Sequence, residues 1–320
     1  MVQAQTPSMS LKEWVMMLAL SALWGGSFFF FKVLVTEVPP FTVVLGRVGL
    51  AALILNLFLI LRRDLMPRDP RLWGAFFIVG LLNNVVPYTL IVFGETHISS
   101  GLASILNATT PIFTVIIAHV FTANEKLNWG KVAGVAFGFA GVAVLIGPSG
   151  LSSLGGSDLG GEAACLLAAL TYGFASIYGR RFKGIAPLKV ATGQITASTI
   201  VLLPLALLID RPWTIPTPGV EVWLAFGGIS LFSTALAYIL YFRILATAGA
   251  TNLMLVTFLL PVSAMTLGVF ALGEVVTWQS LAGMALIGLG LAAIDGRLWR
   301  RLSVTTHKGL KVYAKGFPRS

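Results

Sequence analysis

The residues able to do chemistry in this sequence are few, and they sit inside apolar runs. Arg47 follows Pro40 by seven positions, about 10 Å into a helix at 1.5 Å per residue. A guanidinium there offers up to five donors and a fixed charge, which suits a carboxylate. Two readings stand for it: it holds a ligand carboxylate, or it is structural, snorkelling outward or pairing with Glu37 or Glu95. Lys32 reads as a second snorkelling cation. The other candidates are amides, hydroxyls and rings: Trp24, Ser27, Asn83, Asn84, Tyr88, Asn107, Tyr172, Ser176, Ser233, Tyr238 and Thr257. Polar side chains in lipid-embedded helices seek partners or a wet cavity, so these either line a cavity or hydrogen-bond between helices. The ring faces suit an aromatic or cationic ligand. Pro111 and Pro261 fall mid-span, where proline removes a backbone donor; they predict kinks that border the cavity or are purely structural.

Missing chemistry narrows the classes. Intramembrane carboxylates are the usual proton relays, and none lies mid-span here; Glu95 and His97, at an outer helix end, are the nearest candidates for proton coupling. The one cysteine, Cys165, and the three histidines, His97, His119 and His307, give no metal-ligand spacing, so neither a metal nor another cofactor is expected. With no P-loop, ATP is not the direct energy source. No His-Glu-x-x-His motif or facing carboxylate pair is present, so an enzyme is not expected.

The elements that carry these residues must live in lipid. The chain is 57% hydrophobic and 11% charged, with mean hydropathy +0.89, against about 25% charged residues in soluble domains. A span takes about 20 mostly apolar residues. Candidates fall at roughly 14–36, 40–61, 72–94, 100–122, 129–147, 161–181, 187–209, 219–246, 251–272 and 277–296. The expected fold is all-α integral membrane with ten transmembrane helices, an eight- or nine-span count being the rival because the separators at 247–250 and 273–276 are weak. Helices are chosen because barrel strands would alternate polar and apolar residues.

The net charge of +10 is spread between the apolar runs and over the last residues. With the N-terminus inside, Lys12, Arg62, Arg63, Arg68, Arg71, Lys126, Lys131, Arg180, Arg181, Lys183, Lys189 and Arg243 all face the cytoplasm, while Arg211 alone is clearly outside. An even span count places both termini in the cytoplasm of a plasma (inner) membrane. The basic tail 298–320 is expected on the anionic inner leaflet, and nucleic acid is not an expected partner. The Gly/Ser-rich stretch 148–160 reads as an external linker.

The halves resemble each other. Glu125, Trp129, Gly134, Gly141 and Gly147 match Glu274, Trp278, Gly283, Gly290 and Gly296 at a fixed offset of 149. Pro111 matches Pro261 and Tyr88 matches Tyr238 at 150; Trp24-Gly25 resembles Tyr172-Gly173, and Gly46-Arg47 resembles Gly193-Gln194. Five spans per unit is odd, so the second unit is expected upside down: two inverted five-helix repeats, a recurring transporter design. Glu125 and Glu274 read as helix caps and hinge elements, and Gly134, Gly138 and Gly141 as a face for close helix contact.

The two Glu-x-x-x-Trp-x-x-x-x-Gly stretches, with Trp24-Gly25 in the first span and Arg47 in the second, resemble the EamA-type branch of the drug/metabolite transporter superfamily, YddG-like exporters among its members. The likeness covers about 11–297. It implies a first repeat at 11–147, a second at 161–297, and a central cavity bounded by helices 1, 3 and 4 and their counterparts 6, 8 and 9. It implies a secondary transporter, exporting small organic metabolites such as amino acids by alternating access, with a small-molecule substrate as partner. A channel or facilitator without ion coupling is the other reading. The oligomeric state is not readable.

Overall fold

A computed structural model of the protein describes residues 10–122, 127–152, 157–253 and 255–295. Regular structure among them is entirely helical. The helices are α1 (Leu11–Leu34), α2 (Pro40–Leu61), α3 (Pro70–Glu95), α4 (Ser100–Phe121), α5 (Trp129–Ser152), α6 (Ser157–Tyr178), α7 (Pro187–Asp210), α8 (220–253), α9 (Val256–Leu272) and α10 (Trp278–Asp295). Seven helices among the described residues are long and apolar enough to cross a membrane, and Trp129–Leu145, Leu259–Leu272 and Trp278–Ile294 are shorter apolar stretches. The chain is a multi-pass membrane protein.

Local chemistry explains the ends. Ser10 and Glu13 form a capping box on α1, Glu13 Oε2 accepting from Ser10 N at 2.7 Å. Pro40, Pro70 and Pro187 each sit at the first position of a helix, where a missing N–H costs nothing. Asn128 and Thr277 cap α5 and α10 through their side-chain oxygens. α9 stops at Gly273, whose φ of +68° is the left-handed conformation glycine adopts freely.

Some boundaries differ from expectation. The separator expected at 247–250 is helical; the described break is the turn at Leu255 instead, because Thr-Ala-Gly-Ala is too weak a breaker inside an apolar bundle. α5 runs to Ser152 and α6 starts at Ser157, so helix occupies both ends of the expected linker. Glu125 and the tail 298–320 lie outside the described residues.

α2 shows how lipid decides the pattern. Val43, Val44, Val48, Ala51, Leu55 and Leu59 are buried, while Leu53, Leu57, Ile60 and Leu61 are exposed. Both faces are apolar, and in water the second would be an uncovered patch; acyl chains cover it.

Helix contacts come in pairs five helices apart. α1 packs on α9 and α6 on α4; α3 packs on α6 and α8 on α1; α3 packs on α7 and α8 on α2. α2 meets α7, and α5 meets α10. The side chains repeat the pattern: Phe226 fills the space beside Gly46, and Phe76 that beside Gly193. At the α5–α10 seam, Gly134 faces Gly290 and Gly141 faces Gly283, each carbonyl so close to the opposite glycine that a Cβ would stand 2.5–2.9 Å from it.

α3 and α8 each contain a π segment, Leu81–Val85 and Leu231–Leu236. Insertions of this kind re-aim side chains and cluster at functional sites. α4 is interrupted at Ala108–Thr109, with Pro111 opening the segment that follows. Pro261 lies within α9 itself.

Candidate functional site

Arg47 stands at the centre of the strongest polar cluster. It is 3% exposed, so it neither snorkels nor pairs with Glu37, whose carboxylate instead accepts from Gly219 N at 2.8 Å. Its Nε donates to Thr234 Oγ1 at 3.2 Å and its Nη2 to Ser27 Oγ at 3.3 Å. The guanidinium carbon lies 4.0 Å from the Tyr88 ring centroid and 5.0 Å from that of Phe31, a cation held on aromatic faces. No carboxylate among the described residues comes within ion-pair distance. The π segment of α8 supplies one partner: Thr234 donates its own proton to the Ile229 carbonyl at 2.9 Å, leaving its lone pairs for Arg47.

A second cluster is built alike from neutral groups. Gln194 on α7 donates from Nε2 to Tyr238 Oη at 3.3 Å and accepts from Asn83 Nδ2 at 3.2 Å. Asn84 donates to Ser198 Oγ at 3.1 Å. Arg47 on α2 thus meets Tyr88 of α3 and Thr234 of α8, while Gln194 on α7 meets Tyr238 of α8 and Asn83 of α3. The Tyr172 ring lies 6.5 Å from that of Tyr88.

A third group lies where α3 ends and α4 begins. Lys32 does not reach outward; its Nζ donates to the carbonyls of Glu95 at 2.7 Å and Ile98 at 2.8 Å, closing the negative end of α3. Glu274 is a cap, though of α4 rather than of α10, the helix it precedes. It accepts from Ser100 N at 2.7 Å, Ser100 Oγ at 3.0 Å and Gly101 N at 3.1 Å. Glu95 is fully buried, and neither carboxylate oxygen has a hydrogen-bond partner. The charges near enough to act on it are Lys32, Glu274 and Arg47. His97 is half-buried and tied locally to Thr96 and the Phe93 carbonyl.

The remaining candidates are spread more widely. Trp24 packs on Tyr241 at 5.6 Å, within a cluster that includes Met17, Leu20 and Ile244. Asn107 and Ser233 each bury an oxygen with no partner. Thr257 is half-buried, and Ser176 is exposed, its hydroxyl spent on the Tyr172 carbonyl at 2.9 Å. Thr234, Phe31 and Ser198 were not readable as site residues. Gln194 was missed too, although its place opposite Arg47 when the halves are aligned is a signal that points to it. No group of residues among those described could hold a metal ion. A cleft of about 480 Å³ opens beside Asp69, Arg71, Tyr178 and Arg181 and shares no residue with the Arg47 cluster.

Comparison with known proteins places this geometry. The model of the EamA-like transporter family matches twice, at residues 12–147 and 159–294. The "uncharacterized transporter YoaV" of Bacillus subtilis is 27% identical over 276 residues, 86% of this chain and 93% of its own. The "uncharacterized inner membrane transporter YedA" of Escherichia coli K12 is 29% identical over 272 residues, covering 82% and 85%. Protein PagO of Salmonella typhimurium is 26% identical over 298 residues, covering 91% and 95%. One crystal structure, 20% identical, aligns over 91% of this chain and 99% of its own with a TM-score of 0.63, a likeness of fold.

Proposed function

Since this chain belongs to the EamA-like transporter family, we propose that it is a secondary transporter exporting small organic metabolites, such as amino acids, by alternating access. The membrane carries ten spans in this reading, as two inverted repeats at 11–147 and 161–297 with both termini cytoplasmic. The observation that carries it is the pairing of contacts: α1 on α9 with α6 on α4, α3 on α7 with α8 on α2. Two equivalent halves can exchange which side of the membrane is open, which is what alternating access requires. The substrate cavity in this reading lies between α1, α3 and α4 and their counterparts α6, α8 and α9. Ser27, Asn83, Tyr88, Tyr172 and Tyr238 bound it, and Asn107 and Ser233 bring the buried oxygens that lack partners. Glu95 is the residue we assign to proton coupling, because it is a buried carboxylate with both oxygens unspent.

The test is uptake of a labelled panel of amino acids and organic cations into inside-out proteoliposomes, with and without a proton gradient. Saturable uptake is expected. Flux that stays linear to the solubility limit for every compound would exclude a carrier.

A further inference from the structure

We propose that the Arg47 cluster is an anion subsite, so that the substrates of this transporter carry a carboxylate or an equivalent oxyanion. The inference rests on the transport reading above and names the substrate class of its site.

A guanidinium withdrawn from water needs a counter-charge or a full set of acceptors. Arg47 has neither. It is 3% exposed, and among the described residues two of its five N–H donors are engaged, at 3.2 and 3.3 Å, both by neutral hydroxyls. The rings of Tyr88 and Phe31 stabilise the charge without accepting its protons in the guanidinium plane. Glu95 is close enough to act on Arg47 electrostatically but makes no ion pair with it. The neighbouring cation, Lys32, spends its ammonium on two backbone carbonyls.

The other half of the molecule supplies an internal control. Gln194 occupies the matching place, and it is neutral: its nitrogen donates to Tyr238 and its oxygen accepts from Asn83, with no charge to balance. The two positions share their architecture and differ in charge. What Arg47 lacks is a planar acceptor with negative charge, which a carboxylate supplies through two parallel hydrogen bonds. Ser27 and Thr234 hold the guanidinium in place, and the Tyr88, Tyr172 and Tyr238 rings give the rest of the substrate an apolar wall.

The full-length protein in proteoliposomes is tested with labelled pairs of like shape: benzoate and benzamide, phenylalanine and phenylalaninol. Transport or competition should favour the carboxylate member of at least one pair by roughly thirtyfold or more, the consequence of removing one partner of a buried, hydrogen-bonded charge pair. Arg47→Gln should shrink that ratio to within a few-fold, and Arg47→Lys should preserve its sign. The wild-type ratio decides the matter even where Arg47→Gln does not fold. Equal handling of both members of each pair, or an unchanged ratio in Arg47→Gln, overturns the anion subsite. Saturable uptake of neutral or cationic compounds with no carboxylate preference overturns it while leaving the transporter reading intact. Linear flux of every compound removes both.

Discussion

Gly288 and Gly290 lie two residues apart on α10, and alanine should act on them with opposite sign. A Cβ at Gly290 would stand 2.6 Å from the Gly134 carbonyl oxygen and 2.9 Å from Gly138 N. Carbon–oxygen contacts begin near ~3.3 Å, so the helices must separate by about 0.7 Å. The opposing atoms are backbone, and no side chain can turn aside to relieve them. A Cβ at Gly288 meets no heavy atom within 4 Å. Alanine's advantage in helix propensity, about 1 kcal/mol, applies to both positions and cancels in their difference. What remains is overpacking at Gly290, about 2–3 kcal/mol at an unyielding contact. At about 2 °C per kcal/mol for a chain of this length, Gly290→Ala should melt roughly 4–6 °C below Gly288→Ala in detergent, followed by tryptophan fluorescence. Gly134→Ala added to Gly290→Ala should cost less than the sum, because one separation of α5 from α10 relieves both clashes; the coupling should be at least ~0.5 kcal/mol. If Gly290→Ala melts at or above Gly288→Ala, the close α5–α10 seam is wrong.

Three further substitutions probe other links. Glu274→Ala should lower stability by about 2–4 kcal/mol, because it strips three hydrogen bonds from the start of α4, and Glu274→Gln by about half as much, because an amide oxygen still accepts; thermal melts of the two against wild type check the order. Asp64→Asn breaks the 2.6 Å ion pair with Lys189, but Asp64 is half exposed, so the change in stability should stay below ~1 kcal/mol in the same melts. Glu95→Gln should abolish gradient-driven accumulation in proteoliposomes yet keep exchange of labelled for unlabelled substrate; intact accumulation in this variant would remove Glu95 as the coupling group.

Much of the architecture can be read from the sequence because its causes are local. Pro40, Pro70 and Pro187 open helices wherever they occur, and charge clusters such as Arg62-Arg63-Asp64 cannot enter lipid. The glycines of α5 and α10 are legible for a related reason: a spacing of seven on both helices suits a backbone-to-backbone seam. What stays hidden depends on partners far away in the chain. Arg47 looked free to snorkel because Thr234 and Tyr88, which hold it inside, belong to other helices. Glu274 precedes α10 and so read as its cap, but its carboxylate reaches α4. Lys32 gave no sign of closing α3, since its acceptors are backbone carbonyls that exist only once that helix ends. The π segments leave hydropathy unchanged, and no composition marks them; their presence at 81–85 and 231–236 could only be seen in three dimensions.

The setting of Arg47 also has a consequence for biosynthesis. Ser27 and Phe31 are made before it, and Tyr88 soon after, but Thr234 comes 187 residues later. At about 5–20 residues per second, the guanidinium waits roughly 10–40 s in the membrane with only one of its two side-chain acceptors present. During that interval the nascent first half holds a charge that only a hydroxyl and two rings shelter. An N-terminal half released by stalled translation would lack the Thr234 partner permanently. Co-expressing the second half as a separate chain should rescue it by delivering Thr234.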